Sequence, residues 1–131
     1  MIESDDLSRK QKAKIDEAAI LFRLCIHGFS VFCSPFDGDT EDWVVKTGSG
    51  FKKIQVKWVR EQRHGMPSVS LVKTAGHNKQ TRYSDEDFDF IIGYDFFSDI
   101  AYVYSKADVS SNRRMISVNK DCAEKWVKLR E

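Results

Sequence analysis

The amino-terminal part of the chain carries a helical pattern of apolar residues. Ser8 followed by Gln11 predicts a capping box, and Gly28 is a natural stop, so we expect a helix that ends at about His27. With successive residues about 100° apart, five polar side chains fall on one narrow stripe that we expect to face water. They are Arg9, Lys12, Asp16, Arg23 and His27. Most other positions from Ile15 onward are apolar and predict the buried side of this helix.

The middle of the chain carries short alternating patterns bounded by turn residues. These patterns predict β-strands, the second and third of which form a hairpin that turns at 47–50. The strands are expected at 29–33, 42–46, 51–59 and 68–73. Polar loops are expected at 35–39, 60–67 and 74–84.

The last third combines aromatic strands with a second helical pattern. Residues 88–94 and 100–104 are apolar, aromatic and β-branched, and predict an antiparallel pair of strands. A short strand is expected at 115–118, and Asn119 predicts the cap of a final helix over 120–129. The residues that we expect this helix to bury are Ala123, Trp126 and Val127.

The order of these elements predicts the fold class. A helix, a meander of three strands, further strands and a last helix indicate an α+β (α/β) fold with a mixed β-sheet flanked by helices. The chain has 131 residues, which is long enough for one hydrophobic core and too short for two. We therefore expect a single domain over residues 1–131.

Composition excludes several classes of protein. Hydrophobic residues make up 41% and charged residues 31%, as in ordinary globular domains. No apolar run approaches the about 20 residues of a membrane span, and the acidic first residues predict no signal peptide. The three cysteines form no CxxC pair and no zinc spacing with the histidines. We expect a reduced, cytoplasmic protein with ordinary buried thiols and no membrane partner.

Charge is divided unevenly along the chain, although the formal net charge is only +1. Residues 46–82 contain nine lysines and arginines and one acid, Glu61, whereas residues 83–101 contain six acids and no lysine or arginine. Opposed blocks of this kind indicate a polar molecule with one basic face. Scattered solvated charge explains the same numbers about equally well.

Three positions could carry chemistry, and each alone has a simpler explanation. Glu17 interrupts the apolar side of the first helix, but it could reach water at the edge or pair with Lys10 or Lys14 on the same helix. Asp42 could merely end a turn. Lys53, Gln55 and Lys57 could simply form the solvent-exposed face of an edge strand.

Together these positions predict a metal site. Across the hairpin, Asp42 can lie close to Gln55 and Lys57 on the adjacent strand. Two carboxylates with an amide or a backbone carbonyl are hard oxygen ligands that suit Mg²⁺ or Mn²⁺. A lysine beside them can orient or deprotonate an attacking water, as phosphodiester hydrolysis requires. The predicted catalytic residues are Glu17, Asp42, Gln55 and Lys57, and the predicted metal ligands are Glu17, Asp42, Gln55 and the carbonyl of Val56.

The ordered set Glu17…Asp42-(x12)-Gln55-Val56-Lys57 resembles the core of the PD-(D/E)xK nucleases. It is most similar to small group I intron-associated homing endonucleases, whose third motif is likewise Q-x-K. The segment Arg82-Tyr83…Asp87-Phe88-Asp89-Phe90 also resembles a segment of that group. This resemblance implies a restriction-endonuclease-like mixed sheet and Mg²⁺-dependent cleavage of double-stranded DNA, with Mn²⁺ as a substitute. It also implies a homo-oligomer, a homodimer or a homotetramer.

Two departures from the family pattern keep alternatives open. Glu41 stands where the proline of the motif is expected, and Gln55 replaces the usual acid, which removes one negative charge from the metal site. The motif also serves structure-specific nucleases such as Holliday junction resolvases and small restriction enzymes. A catalytically dead DNA-binding module is a further alternative, which Gln55 keeps open.

The basic block supplies candidate contacts to DNA. Lysines and arginines would bind phosphates, and polar side chains in the same region could contact base edges in the major groove. We expect a two-stranded ribbon around 60–73 to enter that groove, while the acidic segment 88–104 forms core and subunit contacts. The candidate DNA-binding residues are Lys10, Lys14, Lys46, Lys53, Arg60, Arg63, His64, Ser68, Ser70, His77, Lys79 and Arg82.

Overall fold

The computed structural model describes residues 6–33, 35, 42–60, 66–74, 80–82, 87–109 and 114–130, with the side chains of 73–74 and 80–82 excepted. Helix α1 spans Arg9–Ile26. The strands are β1 Ser30–Phe32, β2 Trp43–Thr47, β3 Gly50–Trp58, β4 Ser68–Ser70, β5 Val72–Thr74, β6 Gln80–Arg82, β7 Phe90–Asp95, β8 Ile100–Ser105 and β9 Met115–Ser117. Short 3-10 helices lie at Ala107–Val109, Lys120–Cys122 and Trp126–Arg130.

A five-stranded mixed sheet in the order β1-β2-β3-β7-β8 is the framework of the domain. Strands β1, β2 and β3 form the expected antiparallel meander, and β7 and β8 form the expected antiparallel pair. The two units join where β3 runs parallel to β7, with Gln55 opposite Ile91. Outside this sheet, β4 pairs with β9 and β5 pairs with β6, each antiparallel.

Helix α1 begins and ends where its sequence predicts. Ser8 Oγ accepts a hydrogen bond from Gln11 N at 3.1 Å, and Gln11 Oε1 accepts one from Ser8 N at 2.8 Å, which completes the capping box. After Ile26 the chain leaves the helix through Gly28, whose φ of +84° is unfavourable for residues with a side chain. The helix therefore delivers the chain directly into β1.

The face that α1 turns to the sheet differs from the expected one. Asp16 was expected to face water, but it is 5% exposed and lies in line with the buried Ile20 and Leu24. The apolar residues Phe22 and Ile26 are instead 62% and 63% exposed. The apolar side of this helix is wider than the strip that one sheet face can cover, so tertiary packing selected the stripe that contains the acid.

Arg23 also leaves the predicted water-facing stripe. Its guanidinium bridges Asp99 Oδ1 at 2.8 Å and Glu124 Oε1 at 3.2 Å, and it lies 5.2 Å from the centroid of the Tyr94 ring. These contacts tie α1 to the β7–β8 turn and to the carboxyl-terminal segment. His27 stays exposed but stacks on Trp126, with ring centroids 5.6 Å apart.

Helix α1 covers one face of the sheet, and β4 and β9 cover part of the other. On the α1 side, Ile20 and Leu24 pack with Val45, Ile54 and other buried side chains of the strands. On the opposite side, β4 and β9 cover β7 and β8. Gly93 makes this second contact possible, because a Cβ there would lie 2.8 Å from Val69 Cγ2. The residues buried on the second side include Val59, Val69, Ile91, Tyr102, Tyr104 and Cys122.

The expected strand 68–73 is interrupted. Its first half, β4, pairs with β9, and its second half, β5, pairs with β6, within the stretch 74–84 that was expected to be loop. The ribbon expected around 60–73 is reduced in the described residues to one bridge between Arg60 and Ser68. The partner of β4, strand β9, is distant in sequence, so local alternation could not reveal that β4 and β5 take different partners.

The prediction of one final helix over 120–129 is wrong, because two short 3-10 helices lie there instead. Asn119 does cap a helical turn, since its Oδ1 accepts from Asp121 N at 2.9 Å. The helix then breaks at Glu124, whose φ is +52°. Val127, expected in the core, is 57% exposed, whereas Leu129 is fully buried. The Glu124 carboxylate accepts from Arg23 and from the Trp126 indole, and these tertiary contacts replace the helical hydrogen bonds.

Two further sequence expectations can be compared with the structure. Cys25, Cys33 and Cys122 are free thiols, but only Cys122 is buried, so the expectation of buried thiols fails for the other two. In the part of the chain that is described, no helix combines the length and hydropathy needed to cross a bilayer. The loop expected at 35–39 lies outside the described residues except for Pro35.

Candidate active site

The predicted catalytic residues meet where β3 extends beyond its neighbour β2. Pairing of the two strands ends with Trp43 opposite Ile54, and just before it Asp42 N donates to Ile54 O at 2.9 Å. Strand β3 continues to Trp58, with β7 on its other side. Asp42 therefore lies at the start of β2, next to a stretch of β3 that β2 does not reach.

The Asp42 carboxylate is held by this stretch of β3. Its Oδ2 accepts from Gln55 Nε2 at 2.9 Å and from Val56 N at 2.7 Å. The first bond requires the Gln55 amide nitrogen to point at Asp42, which leaves the amide oxygen directed elsewhere. Residues 13 and 14 positions apart are thus brought together by the hairpin register.

The oxygen of the Gln55 amide fits a cation. Gln55 Oε1 is buried and has no hydrogen-bond partner among the described residues. A buried acceptor without a donor costs about 1–3 kcal/mol. An amide oxygen beside a carboxylate is a normal ligand for Mg²⁺ or Ca²⁺. The residues present at this point therefore fit a divalent metal ion.

Helix α1 adds two successive acids to the same site. Trp43 Nε1 donates to Glu17 O at 3.1 Å and fixes this turn of the helix against β2. The Glu17 and Asp42 carboxyl groups share a hydrogen bond. Asp16, on the neighbouring position, is close enough for its charge to interact with those of both Asp42 and Glu17. The structure thus brings Asp16 into a site for which the sequence predicted only Glu17 on this helix.

The pKa values of Asp16 and Asp42 are raised, because these acids are buried close to other acids. Burial, and then the charge and the hydrogen bond of Glu17, raise the pKa of Asp42 to about 6 against the lowering effect of the Val56 amide. Burial, and then the charges of Asp42 and Glu17, raise the pKa of Asp16 to about 8. Negative charge is therefore unfavourable here, and a bound cation would relieve it.

Lys57 lies on the same face of β3 as Gln55, two residues further along. Its Nζ donates to Val72 O of β5 at 2.9 Å, so the β5–β6 ribbon helps to hold the lysine in place. Burial lowers the pKa of Lys57, while the nearby charges of Asp42 and Asp16 act in the opposite direction. The site therefore combines acids, a desolvated ammonium group and an amide oxygen that accepts no hydrogen bond from any described residue.

A metal ion would need ligands beyond the acids alone. Among the described residues no group of three or more His, Cys, Asp and Glu side chains is arranged as a metal site. Gln55 and a backbone carbonyl such as that of Val56 would have to complete the ligands that Asp42 and Glu17 begin.

Asp16 is a residue of the site that the sequence pattern did not predict. A signal for it exists, because Asp16, Ile20 and Leu24 recur every four residues and form one stripe along the helix. The wide apolar side of α1 concealed this stripe, since several rotations of the helix would bury a comparable set of apolar residues.

Most of the basic candidates that are described lie at the surface. Arg63, His64, His77 and Lys79 are outside the described residues, and Arg82 is described only as backbone of β6. The described candidates that are exposed are Lys10, Lys14, Lys46, Lys53 and Arg60.

Two serines proposed to contact bases are placed elsewhere. Ser68 is 2% exposed and pairs with Ser117, so it belongs to the interior of the β4–β9 ribbon and does not suit a role at a DNA surface. Ser70 is half-buried, and its Oγ accepts a local hydrogen bond from Val72 N at 3.4 Å. The strand pairing of β4 accounts for both positions.

Comparisons with known proteins find one matching family model and a similar solved fold. Residues 7–125 match the family model of the PD-(D/E)XK endonucleases. Among solved structures, a bacterial homing endonuclease, I-Ssp6803I, has 22% sequence identity and a TM-score of 0.79, with 93% of each chain covered. No curated protein matches the chain. The structural likeness confirms the expected restriction-endonuclease-like mixed sheet.

Proposed function

Because this chain belongs to the PD-(D/E)XK endonuclease family, we propose that it hydrolyses double-stranded DNA with Mg²⁺ and at a specific sequence, as a homing endonuclease. Membership of the family confirms the resemblance drawn from the residues and identifies the fold as a nuclease domain. The observation that supports metal dependence is the buried Gln55 Oε1, which lies next to Asp42 and has no hydrogen-bond partner in the described part of the chain.

Four groups of the chain would hold the ion. Asp42 and Glu17 supply carboxylates, and Gln55 Oε1 and the Val56 carbonyl supply neutral oxygens, which together suit Mg²⁺, with Mn²⁺ as a substitute. Held by these groups, a divalent ion would supply Lewis-acid chemistry to the phosphate and to the attacking water. Because Gln55 is neutral where the motif usually has an acid, the site has one negative charge fewer, and we expect modest affinity for the metal ion.

Lys57 would act on the attacking water and on the phosphate. Its ammonium group lies on the face of β3 that Gln55 shares and is held by Val72 O. From there it can orient the water by a hydrogen bond and offset charge that develops on the phosphate oxygens. Because burial lowers the pKa of Lys57, the lysine also gives up a proton more readily than an exposed one and can accept one from the water.

We propose DNA contacts and self-association for the remaining surface. The exposed lysines and arginines of the basic block, including Lys46, Lys53 and Arg60, would bind phosphates. One chain carries one site whereas a duplex has two strands, so a homodimer or homotetramer would cut both. The exposed Phe22 and Ile26 of α1 offer apolar surface for such a contact. Three free thiols suit a reducing cytoplasm.

The experiment that tests this function is a cleavage assay on plasmid DNA and on a four-way junction, with Mg²⁺ or with EDTA. Asp42→Asn should abolish cleavage and leave DNA binding largely intact, because it removes charge at the metal while an amide oxygen still accepts from Val56 N. Lys57→Met should also stop cleavage without much loss of metal affinity, since an ammonium group is not a ligand. Matched controls are Asp121→Asn and Lys120→Met, which change exposed residues of a 3-10 helix.

Each outcome of this assay has a distinct meaning. Discrete cuts in duplex DNA that depend on Mg²⁺ and on Asp42 support the homing-type function. Cleavage of junctions regardless of sequence would instead identify a resolvase-like nuclease. Binding without cleavage in any divalent metal would identify a DNA-binding module, and full activity of Asp42→Asn would refute the assignment of the site.

A further inference from the structure

The open face of the sheet beside the active site carries two exposed aromatic rings. Alternate residues of β3 share one face, so Phe51 and Lys53 lie on the same side as Gln55 and Lys57. The α1 side of β3 is instead formed by Ile54 and its alternate neighbours. The face of β3 that carries Gln55 and Lys57 therefore extends to Phe51 at the other end of the strand.

Strands β1 and β2 complete this surface in a known register. Lys46 lies opposite Phe51, and Val44 lies opposite Lys53 on one side and Phe32 on the other. The Phe32 and Phe51 rings meet edge to face across β2, with centroids 5.8 Å apart. They are 50% and 63% exposed.

Within strands β1, β2 and β3, the charged residues on this face are all basic. Strands β1, β2 and β3 contain no acidic residue, and Lys46 and Lys53 are exposed beside the rings. An acid, Asp89, lies at the border, where its Oδ2 accepts from Lys53 N at 2.8 Å and its Oδ1 lies 3.9 Å from Lys106 Nζ. Aromatic rings between lysines on an open sheet match the chemistry of surfaces on which nucleic-acid bases stack.

We propose that the pair Phe32 and Phe51, flanked by Lys46 and Lys53, binds an unstacked base of the DNA strand next to the cleavage site. This inference rests on the proposed nuclease function, because it takes the strand that crosses Gln55 and Lys57 as the occupant. Phe51 is four residues from Gln55 along β3, or roughly 13 Å at about 3.3 Å per residue. That distance is about four base steps of a stacked strand at about 3.4 Å per step, so the same strand can reach both places.

The two rings have different tasks. Phe51 is the more exposed and offers its ring to the base, while Phe32 packs edge to face against it and holds its orientation. Lys46, directly opposite Phe51, binds the phosphate beside that base. Base stacking of this kind tolerates any sequence, because every base has a π-face. The surface would therefore add affinity for locally opened DNA near the cut.

The experiment measures binding of a 20-nucleotide oligothymidylate and of a mixed-sequence duplex in Ca²⁺, which keeps the site loaded without cleavage. Phe51→Ala should weaken single-strand binding about 5- to 150-fold, Phe51→Leu should lose most of the same affinity, and Phe51→Trp should retain it. The added tryptophan should also lose fluorescence on binding beyond the change seen in the wild type. Phe97→Ala is the matched control, since Phe97 is 50% exposed and pairs with another phenylalanine in the β7–β8 turn.

The salt dependence separates stacking from charge. Lys46→Ala should reduce the slope of log K against log salt by about 0.7 for a single strand, whereas Phe51→Ala should leave the slope unchanged. Thermal unfolding of each variant shows that the fold is kept.

Other results would overturn the proposal. Wild-type affinity of Phe51→Ala and Phe51→Leu, in a protein that still cuts plasmid DNA, would refute base stacking and leave the nuclease function intact. A loss of oligomer mass in Phe51→Ala, with unchanged single-strand affinity, would show that a second copy of the chain covers this face. Failure of the wild type both to bind and to cut DNA would remove the proposed function itself.

Discussion

Asp16 is buried among other acids, so we expect Asp16→Asn to stabilise the metal-free protein. The gain in free energy of unfolding over the wild type should increase as pH rises. The pKa of Asp16 is about 8 in the folded protein and 3.8 in the unfolded chain. Between these values the folded state keeps a proton that the unfolded state has lost. The free energy of unfolding therefore falls as pH rises, and it falls over that whole interval.

The magnitude follows from the size of this interval. Each pH unit corresponds to about 1.4 kcal/mol, so the step from pH 5 to pH 8 corresponds to at most about 4 kcal/mol for Asp16. The charges of Asp42 and Glu17 interact with this group, and the site relaxes as Asp16 ionises, so we expect about half, roughly 2 kcal/mol. Asn keeps the shape and the acceptor oxygen of Asp but does not titrate. Its advantage over the wild type should therefore grow by about 2 kcal/mol between these pH values.

The assay is urea unfolding in EDTA at pH 5 and pH 8, followed by tryptophan fluorescence. Comparison of the two pH values cancels any constant effect of the amide, and Asp121→Asn controls for the loss of an exposed aspartate. Excess Mg²⁺ should shrink the advantage of Asp16→Asn at pH 8, because a bound cation favours ionised carboxyl groups nearby. An equal difference between Asp16→Asn and wild type at both pH values would refute the reasoning that Asp16 is destabilised by its charge.

Three further predictions concern the site and the two sides of the sheet. Gln55→Glu should tighten Mg²⁺ binding in calorimetric titrations, because it adds a negative charge where the amide oxygen lies; unchanged affinity would argue against Gln55 as a ligand. Gly93→Ala should lower the free energy of unfolding by about 1–3 kcal/mol, since its Cβ would lie 2.8 Å from Val69; an unchanged urea midpoint would contradict this tight contact. Leu129→Ala should cost about 2–5 kcal/mol in the same measurement, whereas truncation of the exposed Val127 should cost little.

Local chemistry was sufficient to predict much of this protein. The capping box of Ser8 and Gln11, the hairpin turn at 47–50 and the alternation along β3 depend on residues within a few positions of one another. The hairpin in turn brings Asp42 beside Gln55, so the center of the candidate site also follows from local register. These features were predictable because periodicity and turn preferences act over short stretches of chain.

Helix α1 shows where local information ends. Its apolar side is wide enough for several rotations, and only contact with the sheet decided that Asp16 points into the site while Phe22 and Ile26 face outward. The choice depends on how Ile20 and Leu24 fit the strands, which is a property of the assembled core and not of the helix.

The carboxyl-terminal segment shows the same limit for secondary structure. Residues 120–129 have a helical pattern, but Glu124 adopts a positive φ so that its carboxylate can bind Arg23 and the Trp126 indole. Strand β4 likewise takes β9 as its partner, from the far end of the chain. In each case contacts between residues distant in sequence outweighed a weak local preference, because the largely buried Arg23 guanidinium and an open strand edge must each find a partner wherever the fold places one.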